Sequence, residues 1–386
     1  MLRPDTPAPI SMRAAILSSV VLLLAVSSGA AARTDPPRAE PTPAAPAPDP
    51  SRISRLIDEG VALHDRRDYD GAIAKYREAL ALDPENSRAQ YELAYSQYEK
   101  KDLPAALETA QKAAIIGKKP ERRLAVMIGN ILDDMGKRTE AIAAYRKGLE
   151  IDPDFFLLYY NLGTTYERLG QRDLARAAYE NAVALRPRHA SSHLGLARVY
   201  KAQGYRVPAI LAAVRFLQLE PASPRSAGAV QWIDELFRLG VEIKDETHTN
   251  ITVDPNTPKD EGDFAGADLA IPMVQAIQKE DQKPGESSEG PPEMNRLVRV
   301  LSIVGELGES GFGKGFAAEY YVPFVRDAVE RKAAAALAAS TLRGAGSAGV
   351  EAWIAAHDKE MAELAAFTEA YTWPSIRPKL PEPPAP

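Results

Sequence analysis

A repeat of 34 residues constrains this chain more than any other feature of its sequence. Pro153, Pro187 and Pro221 follow one another at intervals of 34 residues, and Pro84 precedes Pro153 by two such periods plus one residue. A unit of this length cannot bury its apolar surface alone, so its copies must stack on their neighbours. The pattern therefore predicts an array of similar units over residues 53–223.

Small residues and helix-ending residues occupy fixed places within each copy. In residues 161–187, "NLGTTYERLGQRDLARAAYENAVALRP", Gly163 and Ala175 fall where two antiparallel helices approach most closely. A larger side chain there would push the helices apart, at a cost of roughly 1–3 kcal/mol. Gly170 suits the positive φ that ends the first helix, and Pro187 prevents the second helix from continuing. Each copy is therefore predicted to be a helix-turn-helix unit.

Five helix-turn-helix copies at this period resemble the tetratricopeptide repeat family over residues 53–223. The resemblance implies an all-α fold, a right-handed superhelical solenoid of five repeats. An amphipathic helix at 224–243 is predicted to cap its last repeat. The resemblance also implies a concave groove, lined by the first helix of each repeat, that binds a protein or peptide partner.

By the same resemblance, helix positions 2, 5, 9, 12 and 13 of each repeat face the groove. The residues predicted to contact a partner are Arg88, Tyr91, Tyr95, Tyr98, Arg123, Asn130, Asp133, Asp134, Tyr160, Thr164, Glu167 and Arg198. Tyrosine is a favoured contact residue because it is large, rigid and polar at its tip, although these tyrosines could instead pack between helices. Binding is favoured for Tyr91, Tyr95 and Tyr98, which share one helix. The expected guest carries aromatic or basic side chains.

The N-terminal residues predict export. Arg13 is followed by an apolar run, Ala14 to Val26, and by small residues up to Ala32, which is the order of a secretory signal peptide. The run is short for a membrane span, so we expect cleavage after Ala32 and no span in the mature chain; a retained anchor is the alternative. A Pro/Ala-rich linker, residues 33–52, follows the signal peptide. The protein is expected to be periplasmic or secreted.

The C-terminal third is predicted to be a second helical region. A polar linker, residues 244–292, contains one short helix that we expect to be broken or kinked at Pro272. Three helical stretches follow, at 294–308, 315–341 and 347–371. Their apolar stripes predict a small C-terminal helical domain over 293–373, and a proline-rich extended tail over 374–386. The segments "GFAAEYYVPFV", "VEAWIAAH" and "YTW" look like the C-terminal region of uncharacterised bacterial tetratricopeptide repeat proteins, which implies no activity.

Motifs for catalysis or metal binding are incomplete. "GESGFGK", residues 308–314, has the spacing of a phosphate loop, but Gly315 replaces the required Ser or Thr, so a turn between helices is predicted. His189 and His193 lack the neighbours of a metal site, and His357 is predicted to be a hydrogen-bonded core histidine. The chain has no cysteine, which excludes disulfides and thiolate metal sites. No metal and no cofactor is predicted.

The function that these features favour is that of an exported, non-enzymatic adaptor or scaffold with a protein or peptide partner in its groove. A formal net charge of −6 gives no general attraction to nucleic acid. The alternative is an envelope enzyme whose C-terminal helical domain is catalytic and whose repeats recruit the substrate. A third hypothesis makes the protein a structural part of a larger envelope complex.

Overall fold

Ten helices among the described residues of the repeat region form five antiparallel pairs. The computed structural model describes residues 49–116, 122–244, 249–252, 254, 257–277 and 290–382. The ten helices are α1 (Pro50–Asp65), α2 (Tyr69–Leu82), α3 (Ser87–Glu99), α4 (Leu103–Ile116), α5 (Arg122–Asp134), α6 (Arg138–Ile151), α7 (Phe156–Arg168), α8 (Arg172–Leu185), α9 (Ala190–Gln203) and α10 (Arg206–Leu219). Each odd-numbered helix packs on the next helix of its own repeat, and each repeat packs on the one that follows. The predicted all-α fold is confirmed.

Close approach within a repeat depends on a glycine that faces a tyrosine. A Cβ atom added to Gly60, Gly129 or Gly163 would lie 2.4, 2.1 or 2.7 Å from the ring of Tyr76, Tyr145 or Tyr179, respectively. In the second and fifth repeats the same two positions hold alanines, and all four are buried: Ala94 with Ala110, and Ala197 with Ala213. The prediction that small residues mark the closest approach of the helices is confirmed.

The turn inside each repeat requires one residue in the left-handed backbone conformation. Gly136, Gly170 and Gly204 have φ of 78°, 72° and 85°, as the sequence predicted for Gly170. The first two repeats place Arg67 and Lys101 at this position, with φ of 64° and 70°. Side chains with a Cβ atom adopt this conformation at a cost in free energy, so the N-terminal repeats carry strain that the others avoid.

Two boundaries differ from those that the sequence predicted. Helix α1 begins at Pro50, inside the expected linker, because the Asp49 side chain accepts a hydrogen bond from Ser51 N (3.0 Å) and proline suits the first helical turn. The capping helix α11 (Pro224–Arg238) ends five residues early, since Gly240 takes a φ of 78°. Strand β1 (Val241–Ile243) follows and pairs antiparallel with β2 (Thr249–Ile251).

The C-terminal part consists of α12 (Ala265–Ile277), α13 (Pro292–Ser310), α14 (Phe316–Tyr320), α15 (Val322–Glu330), α16 (Ala334–Leu342), a 3₁₀ turn (Arg343–Ala345), α17 (Ala348–Ala356) and α18 (Asp358–Ala370). Helix α12 runs through Pro272 without the expected break. The glycine-rich segment before α14 is a turn between helices, as predicted, with positive φ at Gly311, Gly313 and Gly315.

Two of the predicted C-terminal helices are interrupted, which corrects the sequence-based ranges. The stretch 315–341 breaks before Pro323, which lacks an N–H group, and again at Lys332, which has a φ of 59°. The stretch 347–371 breaks at His357, whose ring Nδ1 lies 2.8 Å from the carbonyl oxygen of Trp353. That side chain competes with the backbone for a helical acceptor, and the helix stops there.

The C-terminal helices pack against the second helices of the last two repeats. Helix α10 contacts α12, α14 and α16, and α11 contacts α12 and the 3₁₀ turn. Tyr320 donates a hydrogen bond to the Val183 carbonyl in α8 (3.2 Å). One hydrophobic core cluster joins the third, fourth and fifth repeats with helices α11 to α18. The expected C-terminal helical domain is therefore continuous with the repeats, and its tail lies extended across them.

Residues at the N-terminus lie outside the described part of the chain. These are the expected signal peptide, residues 1–32, and the expected linker up to residue 48. Among the helices that the structure describes, none combines the length and the apolar character that a membrane span needs.

Candidate functional site

The predicted groove residues lie on one surface, formed by the first helices α1, α3, α5, α7 and α9 and called here the first-helix face. Hydrogen bonds and ion pairs connect neighbouring helices across its middle. Tyr98 donates to Asp134 Oδ2 (2.7 Å). Glu167 Oε2 accepts from Arg198 Nη2 (2.7 Å), and a second contact makes this pair bidentate. These contacts join side chains that are 31 to 36 residues apart in sequence.

The remaining residues in the middle of this face are also engaged. Asp133 is buried and pairs with Arg168. Asn130 Oδ1 accepts hydrogen bonds from Tyr145 (2.7 Å) and from Asn161 (2.8 Å). The Asn161 amide thereby links α7 to α5. These side chains hold adjacent repeats in register.

Tyr160 and Thr164 belong to the same packed region. The Tyr160 ring lies edge-on to His189, with 4.9 Å between the ring centroids. Thr164 Oγ1 donates to the Tyr160 carbonyl (3.1 Å), as a hydroxyl in the middle of a helix often does, and lies 3.2 Å from the Tyr179 hydroxyl. Tyr160 therefore packs against the residue that precedes α9.

This pairing changes the pKa values of side chains on the first-helix face. Burial, together with the hydrogen bond to Asp134, raises the pKa of the Tyr98 phenol. The hydrogen bonds from Arg198 to Glu167 raise the pKa of the Arg198 guanidinium, and burial opposes them. Asp133 and Glu167 are thus paired with Arg168 and Arg198, whereas Asp134 accepts a hydrogen bond from a neutral phenol.

The N-terminal end of the face has a different character, because four aromatic rings follow one another on its surface. His64 stacks on Tyr95 with 4.8 Å between ring centroids and 25° between planes, and Tyr69 meets His64 edge-on at 5.2 Å. Tyr91 continues the row at 6.4 Å from Tyr95. Tyr95 is 37% exposed. His64 Nδ1 lies 2.7 Å from Ser96 Oγ, which fixes the orientation of the ring.

A cavity of about 310 Å³ adjoins this row. It is lined by Ser87, Arg88, Tyr91, Glu92 and Arg123. Arg88 Nη2 is 2.9 Å from Asp58 Oδ1, but both side chains are more than half exposed, so water weakens this pair. Burial raises the pKa of Glu92, and the nearby Arg88 opposes that shift. Two arginines and one half-buried carboxyl line the cavity, and Asp58 balances the charge of Arg88 from outside the lining.

The structure therefore divides the predicted residues into two groups. Arg88, Tyr91, Tyr95 and Arg123 surround the accessible end of the face. The others connect helices: Tyr98, Asn130, Asp133, Asp134, Tyr160, Thr164, Glu167 and Arg198. His64, Tyr69 and Glu92 were missed. His64 is position 12 of the first helix of the first repeat. Applying the groove positions 2, 5, 9, 12 and 13 to that repeat as well would have identified His64.

A buried polar cluster lies where the repeats meet the C-terminal part. The Tyr200 hydroxyl is 3.1 Å from Glu180 Oε1 and 3.0 Å from Glu261 Oε2. Arg176 Nη1 lies 3.4 Å from Glu261 Oε1, and its Nη2 lies 2.8 Å from Asp260 Oδ2. A phenol has one proton to donate, so a second hydrogen bond at Tyr200 requires that one of the two buried carboxyls is protonated. Glu180, Tyr200 and Glu261 are buried and Asp260 lies at the exposed edge, and the cluster connects the two parts of the protein.

The protonation state of this cluster follows from its surroundings. Burial and the neighbouring Glu261 carboxylate raise the pKa of Glu180 well above its usual range, against the opposing effect of Arg176. The backbone N–H of Ala317 donates a hydrogen bond to Glu261 Oε2 (3.1 Å). Glu180 therefore keeps its proton to a higher pH than a solvent-exposed glutamate does.

The histidines considered as ligands or bases have structural partners. Burial lowers the pKa of His193 to about 3. Its Nε2 lies 3.0 Å from the Pro187 carbonyl oxygen, so Nε2 carries the proton and Nδ1 accepts from Tyr321 (2.8 Å). His357 stacks on Trp353 at 3.9 Å and is hydrogen-bonded as predicted, but it is half-buried and does not belong to the core. Within the described residues, no three histidine, aspartate or glutamate side chains are grouped closely enough to hold a metal ion.

A larger cavity, about 840 Å³, lies in the C-terminal part between α15 and α18. Asp327, Arg331, Lys332, Glu360 and Glu363 contribute its charged side chains, and Phe367 and Tyr371 its aromatic ones. The Arg331 guanidinium lies over the Phe367 ring at 5.0 Å. His357 is not part of its lining.

Models of the tetratricopeptide repeat match this chain at residues 57–121 and 157–189, and a TPR repeat model matches residues 129–170. A similar curated protein is the small glutamine-rich tetratricopeptide repeat-containing protein 2 of Mycosarcoma maydis, 31% identical over 123 residues. The match covers 31% of this chain and 34% of that protein, so the chain spans about a third of the length of this relative.

Several solved structures are also similar. PilF of Pseudomonas aeruginosa is 18% identical, with 61% of this chain and 94% of that chain covered, at a TM-score of 0.44. MamA is 22% identical, with 44% and 93% covered, at a TM-score of 0.39. YrrB, described as a TPR protein with an unusual peptide-binding site, is 20% identical, with 43% and 85% covered, at a TM-score of 0.36.

Proposed function

We propose that this chain, a tetratricopeptide repeat protein, is a non-enzymatic adaptor that binds a peptide segment of a partner protein at the N-terminal end of its first-helix face. Proteins built of such repeats generally serve as scaffolds for protein interactions. In this chain the binding site is formed by the aromatic row His64, Tyr95 and Tyr91 and by the adjacent cavity between Arg88 and Arg123.

The observation that carries the proposal is the contrast within one face. In the middle of the face, the polar side chains are paired with one another. A guest that displaced one member of a pair would leave the other without a partner, as with the buried Asp133 carboxylate. Around Tyr95 the rings stack on each other, and the Tyr95 ring is exposed while His64 and Tyr91 are half-buried, which leaves part of this row available to a guest. A partner that binds there gains aromatic contact without breaking the contacts that join the repeats.

The chemistry of the site suggests what it recognises. Arg88 and Arg123 border the cavity from α3 and α5, and a guanidinium binds a carboxylate through two parallel hydrogen bonds. The neighbouring tyrosine rings suit aliphatic or aromatic side chains. The partner segment is therefore expected to carry an acidic residue beside apolar ones, rather than the basic residues that the paired carboxylates first suggested.

The location that we propose for this activity is outside the cytoplasm, on the strength of the signal-peptide pattern in residues 1–32. The adaptor would then act in the cell envelope or beyond it. Processing can be tested by sequencing the N-terminus of the protein recovered from its cells. A first residue at or near 33 supports export, and an intact N-terminus in the cytoplasmic fraction contradicts it.

Site-specific photocrosslinking tests the binding site. A photoreactive amino acid at Tyr95 is expected to capture a discrete partner in the native compartment, and Arg123→Glu in the same chain is expected to abolish that capture. The matched control places the crosslinker at Leu239, an exposed apolar residue of the loop after α11. Capture of the same partner from position 239, or capture unchanged by Arg123→Glu, would show that the partner binds elsewhere.

A further inference from the structure

The C-terminal tail, residues 371–382, crosses the repeats as an extended segment. Its side chains alternate, as in a strand or a polyproline helix bound to a surface: Ile376, Pro378 and Leu380 are half-buried, while Arg377 and Lys379 are exposed. Ile376 and Leu380 pack against the main hydrophobic core cluster. The tail therefore binds to the folded repeats as a peptide ligand would.

Two contacts hold the tail through its main chain. Asn181 in α8 is buried and donates to the Pro378 carbonyl (2.9 Å) and to the Ala177 carbonyl (2.8 Å). Arg146 in α6 donates to the Pro381 carbonyl. Proline fits at both places, because these contacts use its carbonyl and its missing N–H leaves no donor unsatisfied. Its fixed φ also reduces the entropy lost when the segment binds.

One side chain of the tail is recognised individually. Arg377 pairs with Asp154, donates to the Pro153 carbonyl (2.7 Å) and donates to the Tyr159 hydroxyl (3.0 Å). Its guanidinium also lies over the Tyr159 ring, 5.7 Å from the centroid. Three acceptors and a ring face form a site that lysine cannot fill equally, because its ammonium is a point charge without the planar fork.

We propose that the surface formed by Arg146, Asp154, Tyr159 and Asn181 is a second peptide-binding site, and that it takes extended segments of other proteins with the pattern Arg-Pro-x-x-Pro. The chain's own Arg377-Pro378-Lys379-Leu380-Pro381 is its resident occupant. The site uses α6, α8, Tyr159 near the start of α7 and the loop before α7. The aromatic row of the proposed adaptor site lies on the first two repeats, so the two sites share no residue. The two sites can be inactivated independently.

The tethered tail competes with any partner segment. A short tether gives a local concentration on the order of millimolar, so a free peptide of equal intrinsic affinity binds the intact protein only weakly. Partner binding at this surface therefore requires a stronger ligand or release of the tail. Substitutions that release the tail are expected to expose the site.

The experiment uses the full chain with Ile376→Asp and Leu380→Asp, which places charges at two half-buried tail positions. The probe is a fluorescently labelled peptide of residues 373–382, WPSIRPKLPE, and binding is measured by fluorescence anisotropy. The released variant is expected to bind the peptide at least about tenfold more tightly than the wild-type chain. Arg377→Ala in the peptide, or Asn181→Ala in the released chain, is expected to weaken binding by about tenfold.

Controls separate this site from the first-helix face. Tyr95→Ala in the released chain is expected to leave peptide binding unchanged; loss of binding there would assign the peptide to the other site and overturn this proposal. Absence of binding to a released variant that remains folded by circular dichroism would overturn it too. If the double variant does not fold, Arg377→Glu, which changes an exposed side chain, replaces it with the same expectation. A dimer detected by light scattering would indicate that two copies exchange their tails. The ligand of this site would then be a second copy of this chain, and the proposal that it binds other proteins would be overturned.

Discussion

Single side chains set how closely the two helices of a repeat approach. Where the first helix carries Gly60, Gly129 or Gly163, the residue 16 positions later is a tyrosine, and where it carries alanine that residue is alanine. A glycine leaves room for the tyrosine ring. Where the tyrosine is absent, the methyl groups of two alanines occupy this place. The two positions are therefore expected to be energetically coupled.

Gly129→Ala tests this coupling, because the new methyl group would lie against the Tyr145 ring. We expect the single substitution to lower the free energy of unfolding by roughly 1–3 kcal/mol, measured by urea denaturation. The double variant Gly129→Ala, Tyr145→Ala recreates the pair found in the second and fifth repeats. It should lose less stability than the sum of the two single variants, and simple additivity would contradict the account.

Glu180 makes the stability of the protein depend on pH. Its pKa is raised in the folded state, so the folded protein keeps a proton that the unfolded chain releases above its usual value of 4.5. The free energy of unfolding should therefore fall as the pH rises from 4.5 through the folded pKa. Glu180→Gln mimics the protonated form and should make this decline shallower, as measured by urea denaturation between pH 5 and 9. Glu150→Gln, at an exposed position, is the control, and equal declines in both variants would contradict the assignment.

At the scale of the helices, the turn between the two helices of the first repeat allows a direct test of backbone strain. Arg67 is exposed and has a φ of 64°, where three of the other repeats have glycine. Arg67→Gly is expected to stabilise the protein by about 1 kcal/mol, since glycine adopts this conformation without a steric penalty. Its neighbour Arg66 has a φ of −85°, so Arg66→Gly should be neutral or destabilising in the same urea titration. The opposite order would be inconsistent with left-handed strain at Arg67.

The sequence predicted the repeat helices well because their signals are local. In the last three repeats, glycine at the turn and proline at the end recur every 34 residues, and each acts on its own backbone. The C-terminal helices were predicted too long, because an apolar stripe continues past Lys332 and His357 although the backbone turns there. The predicted groove residues lie on the first helices of their repeats, but their pairing, such as Tyr98 with Asp134, depends on partners 36 residues apart that periodicity does not reveal.

For the protein as a whole, packing predicts a gradient of local stability. The first repeat and the second repeat each contribute to a small separate core cluster, whereas the later repeats share one large cluster with the C-terminal helices. Helix α10 buries twelve of its 14 residues, and α2 buries four of 14. Amide hydrogen exchange is therefore expected to be faster in α1 and α2 than in α8 and α10. Equal protection would mean that the repeats unfold as one cooperative unit.

The same gradient distinguishes the part of the molecule that stabilises the repeats from the part that is proposed to bind a partner. The C-terminal helices and the tail cover the second helices of the later repeats and stabilise them. The aromatic row and the cavity beside it lie on the first three repeats, away from that covering. Under the proposed function, the less extensively packed end of the protein binds the partner and the C-terminal part supports the array.

The most direct test of that function is the affinity of the crosslinked partner for two variants. Tyr91→Ala combined with Tyr95→Ala removes two rings of the aromatic row, and Tyr98→Phe removes only the hydrogen bond to Asp134. Isothermal titration calorimetry is expected to show a loss of roughly 2 kcal/mol, about 30-fold in Kd, for the double variant and no change for Tyr98→Phe. Unchanged affinity in a folded double variant, or a large loss for Tyr98→Phe alone, would contradict a binding site centred on Tyr91 and Tyr95.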